Sequence, residues 1–127
     1  MNLGVGSATK HEISQFLQEF RDCPNVILLS NRRDGKNKRL LDKLAISTKD
    51  AIEITKFLRV CDYHKGPKPD FDRERRKRGE TIWEFKKSIE GILVYIKIQV
   101  RLQPKGQAII ISFHEDEYED DGGEIKS

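Results

Sequence analysis

The sequence predicts an α+β protein built on a small antiparallel β-sheet. Three segments between residues 81 and 114 are predicted as strands, and in the longest of them, residues 92–101, apolar side chains on one face alternate with mostly polar ones on the other, which is the pattern of a half-buried strand. Residues 10–21 and 47–59 instead space their apolar side chains three and four apart, as amphipathic helices do. At 127 residues the chain is long enough for one hydrophobic core, so a single domain is expected.

The first helix is predicted after residues 1–9, which are rich in Gly and Ser and are expected to be flexible. It spans residues 10–21, where four apolar side chains fall at positions i, i+3, i+4 and i+7: Ile13, Phe16, Leu17 and Phe20. A short apolar strand follows at residues 26–30. Residues 31–39 hold five basic residues and are expected to form a loop, which is either a phosphate-binding segment or a solvated hairpin tip.

The second helix is predicted to begin at Ser47, after a short helical turn that contains three leucines. Asp50 lies three residues after Ser47, which is the spacing of a capping box, and the helix is expected to end near Arg59. Residues 62–70 contain two prolines and one glycine and are predicted to form a loop. The basic run at residues 71–79 is expected to be mobile.

Three strands complete the predicted sheet, at residues 81–85, 92–101 and 108–114. Side chains alternate between the two faces of a strand, so the apolar halves of all three strands can join one core. The opposite face then carries seven side chains: Glu84, Tyr95, Lys97, Gln99, Arg101, Ser112 and His114. This set is either the ordinary solvated face of a half-buried sheet or a binding surface.

The alternation also assigns a face to each residue of the last strand. Ile109, Ile111 and Phe113 are predicted to face the core. Ala108 and Ile110 are predicted to point to the opposite side of the sheet.

Charge is distributed unevenly along the chain. Residues 115–127 hold seven acidic residues and one basic residue, which leaves 23 basic and 14 acidic residues, a net charge of +9, in residues 1–114. We expect residues 10–114 to form the folded domain and residues 115–127 to be a disordered acidic tail. A basic body is typical of polyanion-binding proteins, although solubility alone also explains it. No apolar run approaches the ~20 residues that span a bilayer and there is no CxxC pair, so a cytoplasmic protein with no membrane partner is expected.

Several kinds of chemistry are disfavoured by the sequence. The three histidines, His11, His64 and His114, do not have the spacing of metal ligands. There is no glycine-rich phosphate loop, and neither cysteine sits on the turn that a nucleophile needs. No metal and no other cofactor is therefore expected. General acid–base chemistry on a phosphodiester remains, because RNA supplies its own nucleophile, the 2′-hydroxyl.

The predicted open face offers a candidate residue for each step of RNA cleavage. His114 suits the proton transfers, because imidazole exchanges protons near neutral pH. Glu84 is a second candidate base, and Tyr95 offers a hydrogen bond or a ring on which a nucleobase can stack. Positive charge for the phosphate oxygens is available from Lys65, Lys97 and Arg101. Each of these residues, taken singly, also fits an ordinary role in packing or solubility.

Four segments, taken in order, resemble the MqsR family of bacterial toxins. They are Asp-Tyr-His-Lys at 62–65, Ile-Trp-Glu at 82–84, Val-Tyr-Ile-Lys at 94–97 and Ile-Ser-Phe-His at 111–114, within a resemblance that covers residues 25–115. The resemblance implies the toxin of a type II toxin–antitoxin system, an mRNA interferase that cuts free or ribosome-bound mRNA through 2′-hydroxyl attack and without a metal. It also implies a RelE-like fold, with helices packed on one face of the sheet, and a cognate antitoxin as protein partner.

Carried over residue by residue, the resemblance implies a catalytic role for four residues: Lys65, Glu84, Tyr95 and His114. The family carries Gln at the Glu84 position and Lys at the His114 position. A histidine can move protons where an ordinary lysine only stabilises charge. The basic run and the acidic tail have no counterpart in the family. We expect RNA phosphate to be bound by the basic run together with two cations of the sheet: Arg73, Arg75, Arg76, Lys77, Arg78, Lys97 and Arg101.

Two other interpretations use the same residues. The first is a non-catalytic RNA-binding or regulatory module that presents the same basic face. The second is a small interaction domain whose charges serve solubility alone. Expression and RNA assays separate the three, because a toxin slows growth, a binder shifts RNA without cutting it, and a domain of the third kind does neither.

Overall fold

A computed structural model describes residues 7–32 and 34–117 of the chain. Within them the helices are α1 (Lys10–Asp22), α2 (Lys36–Leu44), α3 (Thr48–Lys56) and α4 (Arg73–Lys77). The strands are β1 (Asn25–Leu28), β2 (Tyr63–Pro69), β3 (Thr81–Ile89), β4 (Ile92–Val100) and β5 (Gln107–Glu115). They form one sheet in the order β1-β5-β4-β3-β2, in which β1 and β5 run parallel and all other neighbours run antiparallel. The predicted α+β class is confirmed.

Helices α1, α2 and α3 pack against one face of this sheet and form the core with it. The apolar stripe predicted for α1 is confirmed, because its four residues are at most 5% exposed. The Phe16 ring stacks on Trp83 of β3, with ring centroids 4.5 Å apart and planes inclined by 11°. The capping box of Ser47 and Asp50 is also confirmed, although α3 ends at Lys56, three residues before the predicted end.

The segment predicted as a loop at residues 62–70 is mostly a strand. Residues 63–69 form β2 at the edge of the sheet, antiparallel to β3. Pro67 and Pro69 are tolerated because an edge strand need not use all its backbone donors. Two register shifts interrupt the pairing and allow the strand to bend. Gly66 has a φ of +118°, and a Cβ there would lie 2.9 Å from the carbonyl oxygen of Ile82, so the close approach of β2 to β3 requires glycine.

Two predicted loops are partly helical. Helix α2 begins at Lys36 and so includes the end of the predicted basic loop. Residues 73–77 form α4 rather than a wholly irregular run, because the Asp72 side chain accepts a hydrogen bond from the backbone N–H of Arg75 at 3.0 Å and caps the helix.

A β-bulge in β5 changes which side chains reach the core. Lys97 of β4 pairs with Ser112, but Ile98 pairs with Ile110, so Ile111 is an extra residue in the ladder. The prediction was therefore wrong before the bulge: Ala108 and Ile110 belong to the core, whereas Ile109 lies opposite Gln99. After the bulge it was right, since Phe113 is in the core and Ser112 and His114 lie opposite Lys97 and Tyr95.

The ends of the chain are described only in part. Residues 1–6 of the predicted flexible N-terminus and residues 118–127 of the predicted acidic tail lie outside the described residues. The first tail residues are part of the fold, because β5 includes Glu115 and Asp116 is buried. None of the helices within residues 7–32 and 34–117 is long and apolar enough to cross a membrane.

Candidate active site on the open face of the sheet

The open face, defined here as the face of the sheet opposite helices α1–α3, carries polar side chains in two adjacent rows. The first row lies in register across four strands and consists of Lys65, Glu84, Lys97 and Ser112. The second row crosses three strands and consists of Lys86, Tyr95 and His114. Directly opposed residues of neighbouring strands have Cβ atoms about 5 Å apart. The strand register thus brings the four predicted catalytic residues, Lys65, Glu84, Tyr95 and His114, into two neighbouring rows.

Glu84 is the buried carboxylate of the first row. Its side chain is 4% exposed, and Oε2 accepts a hydrogen bond from Lys68 Nζ at 2.8 Å. Burial raises the pKa of Glu84, but the hydrogen bonds from Lys68 and Tyr95 and the positive charges of Lys68 and Lys97 outweigh it, so the pKa lies below its ordinary value. Glu84 is therefore ionised at neutral pH and is a weak proton acceptor. Its geometry fits an anchor for Lys68 and the Tyr95 hydroxyl.

Lys97 is the half-buried cation next to Glu84. Its Nζ lies 5.7 Å from the centroid of the Tyr95 ring. Burial lowers the pKa of Lys97, Glu84 raises it, and the charges of Lys68 and Arg32 lower it further, with a net shift below the ordinary value. Among the described residues the Lys97 ammonium has no hydrogen bond or ion pair within bonding distance. It is consequently available to an incoming anion.

His114 lies beside Tyr95 in the second row. The two ring centroids are 5.4 Å apart, and the His114 Nδ1 lies 3.0 Å from the carbonyl oxygen of Glu115. A carbonyl oxygen only accepts hydrogen bonds, so this contact requires a proton on Nδ1. The neutral ring then carries its lone pair on Nε2, which is the atom that can accept a proton from a substrate.

Two further residues support the end of β5. Arg32 Nη1 donates to Ser112 Oγ at 2.8 Å and to the Ile111 carbonyl at 3.1 Å. Asn37 is fully buried in the first turn of α2, and its Nδ2 donates to the Leu29 carbonyl at 2.7 Å and to the Ile111 carbonyl at 3.0 Å. These bonds hold the bulge, and the bulge sets the side of the sheet to which His114 points.

Asn37 was not among the predicted site residues, because residues 31–39 were expected to form a loop. A signal was present in the sequence. Asn37 occupies the first position of an i, i+3, i+4, i+7 stripe that continues with Leu40, Leu41 and Leu44. A polar residue in an apolar stripe indicates a buried hydrogen-bonding role. The contact of Arg32 with β5, in contrast, has no local signal, because the two segments are about eighty positions apart in the sequence.

Asp116 and His64 also lie at the edge of the site. Lys86 Nζ is 2.8 Å from Asp116 Oδ2, and the Asp116 side chain is fully buried, although the sequence analysis assigned it to the tail. Burial lowers the pKa of His64, the charges of Lys86 and Lys65 lower it further, and Glu84 and Asp116 oppose them. His64 is therefore neutral at pH 7 and lies within the electrostatic reach of both rows.

The structure separates Arg101 and Gln99 from the two rows. Gln99 is 1% exposed and its Nε2 donates to Asp70 Oδ2 at 2.5 Å. The Arg101 side chain is 15% exposed and its Nη1 lies 3.9 Å from Glu80 Oε1. Arg101 is four residues from Lys97 along the chain, a distance of about 13 Å on a strand.

The residues of the predicted basic run also lie apart from the two rows, and two of them are engaged by neighbouring groups. Arg78 Nε lies 3.6 Å from Glu80 Oε2, and Arg76 Nη1 donates to the carbonyl oxygens of Asp70 and Phe71. The three remaining cations, Arg73, Arg75 and Lys77, lie on α4. They are on the surface next to β2, outside the two rows.

Comparisons with models of known protein families, with curated proteins and with solved structures found no match for this chain. Within the described residues, no group of three or more His, Cys, Asp or Glu side chains is placed to hold a metal ion. The fold and the site thus define an α+β protein with a cationic site on an open sheet face.

Proposed function

We propose that this protein is a cytoplasmic mRNA interferase, the toxin of a bacterial type II toxin–antitoxin system, and that it cleaves RNA without a metal. The observation that carries the proposal is that a half-buried, available Lys97 and His114 lie in neighbouring rows of the open face, with the Nδ1 of His114 on the Glu115 carbonyl so that Nε2 is left to accept a proton. The sequence resemblance to the MqsR family supports the same function and, with it, a RelE-like fold and an antitoxin partner.

The distance between Lys97 and His114 suits a phosphodiester. His114 lies opposite Tyr95, two positions along the ladder from the pair of Lys97 and Ser112. Diagonal neighbours of this kind are about 7–8 Å apart, which leaves room for a phosphate between them. Arg32 and Lys68 add positive charge near Lys97, because both contribute to its lowered pKa.

The reaction follows from these positions. His114 Nε2 removes the proton of the 2′-hydroxyl, and the 2′-oxygen attacks phosphorus. Lys97 and the neighbouring cations stabilise the charge that develops on the phosphate oxygens. The bond from phosphorus to the 5′-oxygen breaks, and the 5′-oxygen takes a proton from Lys97, whose lowered pKa makes it a better donor than an ordinary lysine. The products are a 2′,3′-cyclic phosphate and a 5′-hydroxyl.

Tyr95 and Glu84 act as positioning residues in this scheme. The Tyr95 ring contacts both Lys97 and His114, and its hydroxyl hydrogen-bonds to the ionised Glu84. Glu84 therefore fixes the ring that separates the proposed acid from the proposed base.

The test is cleavage of a long unstructured RNA in EDTA by the wild type and by His114→Ala. We expect the wild type to leave 2′,3′-cyclic phosphate ends and the variant to lose about 10²–10⁴-fold in rate. His11→Ala is the matched control, because His11 lies exposed on α1, away from the site. Equal cleavage by His114→Ala and wild type would refute the proposed base.

A non-catalytic RNA-binding module is the second candidate. It is favoured by the lowered pKa of Glu84, which makes this carboxylate a poor base. Such a module would retard RNA in a gel but leave it intact, both in EDTA and with translating ribosomes. A ribosome-dependent toxin would instead cut mRNA only when ribosomes are present, and its expression alone would slow growth.

A further inference from the structure

A groove of about 600 Å³ runs along the outer edge of β2, next to the candidate active site. Its lining includes the cations Lys65, Lys68 and Arg76 together with His64 and Phe71. The groove is continuous with the two rows of the open face, because Lys68 also binds Glu84 and Lys65 lies opposite Glu84 in the register.

Phe71 is the feature of this groove that the proposed reaction does not use. Its ring is 90% exposed, more than any other large hydrophobic side chain within the described residues. A single exposed apolar side chain is ordinary on a protein surface, so what marks Phe71 is the fixed backbone that holds it and the cations beside it.

The backbone on both sides of Phe71 is anchored. The preceding residue, Asp70, is 8% exposed, and its carboxylate accepts hydrogen bonds from Gln99 Nε2 at 2.5 Å and from the Asp72 N–H at 2.7 Å. The following residue, Asp72, caps α4. Arg76 Nη1 donates to the carbonyl oxygens of Asp70 at 3.2 Å and Phe71 at 3.4 Å. The ring thus projects from a turn whose own position is fixed.

The charges around the ring indicate which ligand it fits. The nearby carboxylates have partners: Asp70, which lines the groove, is bound by Gln99, Glu84 is bound by Lys68, and Asp72 caps α4. Of the cations that line the groove, Lys65 is exposed and has no ion pair among the described residues. Lys68 is 44% exposed beside Glu84, and Arg76 uses only Nη1 in the bonds that hold the turn, so both retain N–H groups for an anion. An exposed aromatic ring beside a track of cations is the arrangement that binds single-stranded nucleic acid, in which bases stack and phosphates follow the charge.

We propose that Phe71 is a stacking platform for one nucleobase of single-stranded RNA, and that Lys65, Lys68 and Arg76 hold the adjoining phosphates. This inference rests on the proposed function, since it supplies the path by which an RNA strand enters the site between Lys97 and His114. It also explains why a turn outside the catalytic rows is fixed by five hydrogen bonds: those of Asp70, Asp72 and Arg76.

The experiment measures binding of a fluorescent 2′-O-methyl RNA oligonucleotide, which cannot be cleaved through its 2′-oxygen, at several salt concentrations. We expect Phe71→Ala to weaken binding about 5- to 100-fold, the loss that follows removal of a stacking partner. The slope of log affinity against log salt should not change, because phenylalanine carries no charge. Lys65→Gln should reduce that slope by about 0.7, the contribution of one phosphate contact on a single strand.

Two variants serve as controls. Phe57→Ala removes the other strongly exposed phenylalanine, 70% exposed and outside the groove, and should leave affinity unchanged. Phe71→Trp keeps a stacking surface and should retain wild-type affinity. Circular dichroism should show the same melting temperature for Phe71→Ala as for the wild type, because the ring is exposed.

Three outcomes would overturn the proposal: RNA affinity unaffected by Phe71→Ala, an equal loss with Phe57→Ala, or a changed salt slope with Phe71→Ala. In the first case a protein partner becomes the better occupant of the groove. Because the probe cannot be cut, the result is independent of catalysis. Weaker binding by Phe71→Ala in a protein that cleaves nothing would support the subsite and reject the nuclease, and normal binding in a protein that cleaves would do the reverse.

Discussion

Two buried carboxylates at the two ends of one short segment have different surroundings. Glu80, directly before β3, is 1% exposed, and its Oε2 accepts hydrogen bonds from the backbone N–H groups of Leu102 at 2.8 Å and Gln103 at 3.3 Å. Glu84, within β3, is bound by the side chains of Lys68 and Tyr95 instead. Burial raises the pKa of both carboxyls, and in both the hydrogen bonds and nearby cations outweigh it and lower the pKa.

A lowered pKa therefore does not distinguish a structural carboxylate from one in a functional site, but the partners do. The Glu80 carboxylate binds backbone N–H groups of the turn between β4 and β5 and so holds that turn. The two cations beside Glu80, Arg78 and Arg101, both form ion pairs with it. Glu84 organises a row of side chains in which Lys97 stays available. The two carboxylates therefore differ in one respect that marks a candidate site: a cation beside Glu84, Lys97, is not bound by any described carboxylate, whereas both cations beside Glu80 are bound to it.

The largest expected effect is the loss of stability on substitution of Glu80, the structural carboxylate. Glu80→Ala removes two hydrogen bonds to the backbone and leaves Arg101 buried without its carboxylate, so we expect the free energy of unfolding to fall by about 3–5 kcal/mol. Glu84→Gln should lower the free energy of unfolding by about 1 kcal/mol or less. Glutamine can still accept the hydrogen bond from Tyr95, and Lys68, whose side chain is 44% exposed, can be hydrated by water instead. Urea unfolding monitored by circular dichroism measures both.

The same two variants should reverse their order in an RNA cleavage assay. Glu80→Ala, at a temperature where it is folded, should cut RNA as the wild type does, because Glu80 lies outside the two rows. Glu84→Gln should cut more slowly, because the position of Tyr95 is less fixed. If Glu84→Gln proved the more destabilising variant, the division between a structural and a functional carboxylate would be wrong.

The next effect contrasts two cations, Lys97 within β4 and Arg101 directly after it. Arg101→Met should destabilise the protein by about 2 kcal/mol, because it leaves buried Glu80 with one cation fewer. Lys97→Met should stabilise it by about 0.5–2 kcal/mol, because burial and the neighbouring cations disfavour the charge of Lys97 and outweigh the attraction of Glu84, and no described carboxylate lies within ion-pair distance of its ammonium. Thermal unfolding at pH 7 gives both signs.

An RNA cleavage assay provides the control for Lys97→Met. Lys97→Met should abolish cleavage while it raises the melting temperature, a combination expected of a residue retained for function at the expense of stability. A lower melting temperature for Lys97→Met would mean that its ammonium has a structural partner and is not available to substrate.

Much of this fold could be predicted because its signals are local. The stripe of α1, the capping box of α3 and the alternation in β4 each lie within a dozen residues, and all three were confirmed. Strand β2 was missed because its prolines and Gly66 suggest a loop, and only the neighbouring β3 makes it a strand. The bulge in β5 was missed because residues 108–111 are all apolar. Without alternation between apolar and polar residues, the sequence does not indicate where an extra residue is inserted in the strand.

The candidate site, like the fold, contains residues that local sequence patterns predicted and residues that they did not. Glu84, Tyr95, Lys97 and His114 share the open face, as their alternation within single strands predicted. Arg32 and Asp116 join the site through contacts between segments that are distant in the sequence, and no local pattern places them there. Asn37 has a local signal, its place in the apolar stripe of α2, but its partners on β5 are also distant in the sequence. Arg101 was predicted on the same face as Lys97 but lies apart from the two rows, beside Glu80, since alternation gives the face of a residue but not its distance along the strand.

The smallest expected effect is the dependence of stability on acid. In the unfolded chain the Glu84 carboxyl takes up a proton at its ordinary pKa of about 4.5, whereas in the folded protein it does so only at lower pH. The stabilisation by Glu84 is thus complete above pH 4.5 and is lost as the pH falls through the lowered folded-state value. The difference in unfolding free energy between the wild type and Glu84→Gln should therefore be constant above pH 4.5 and shrink as the pH is reduced below it. Urea unfolding at stepwise pH tests this, and a difference that stayed constant below pH 4.5 as well would mean that the Glu84 carboxylate is not held ionised by Lys68 and Tyr95.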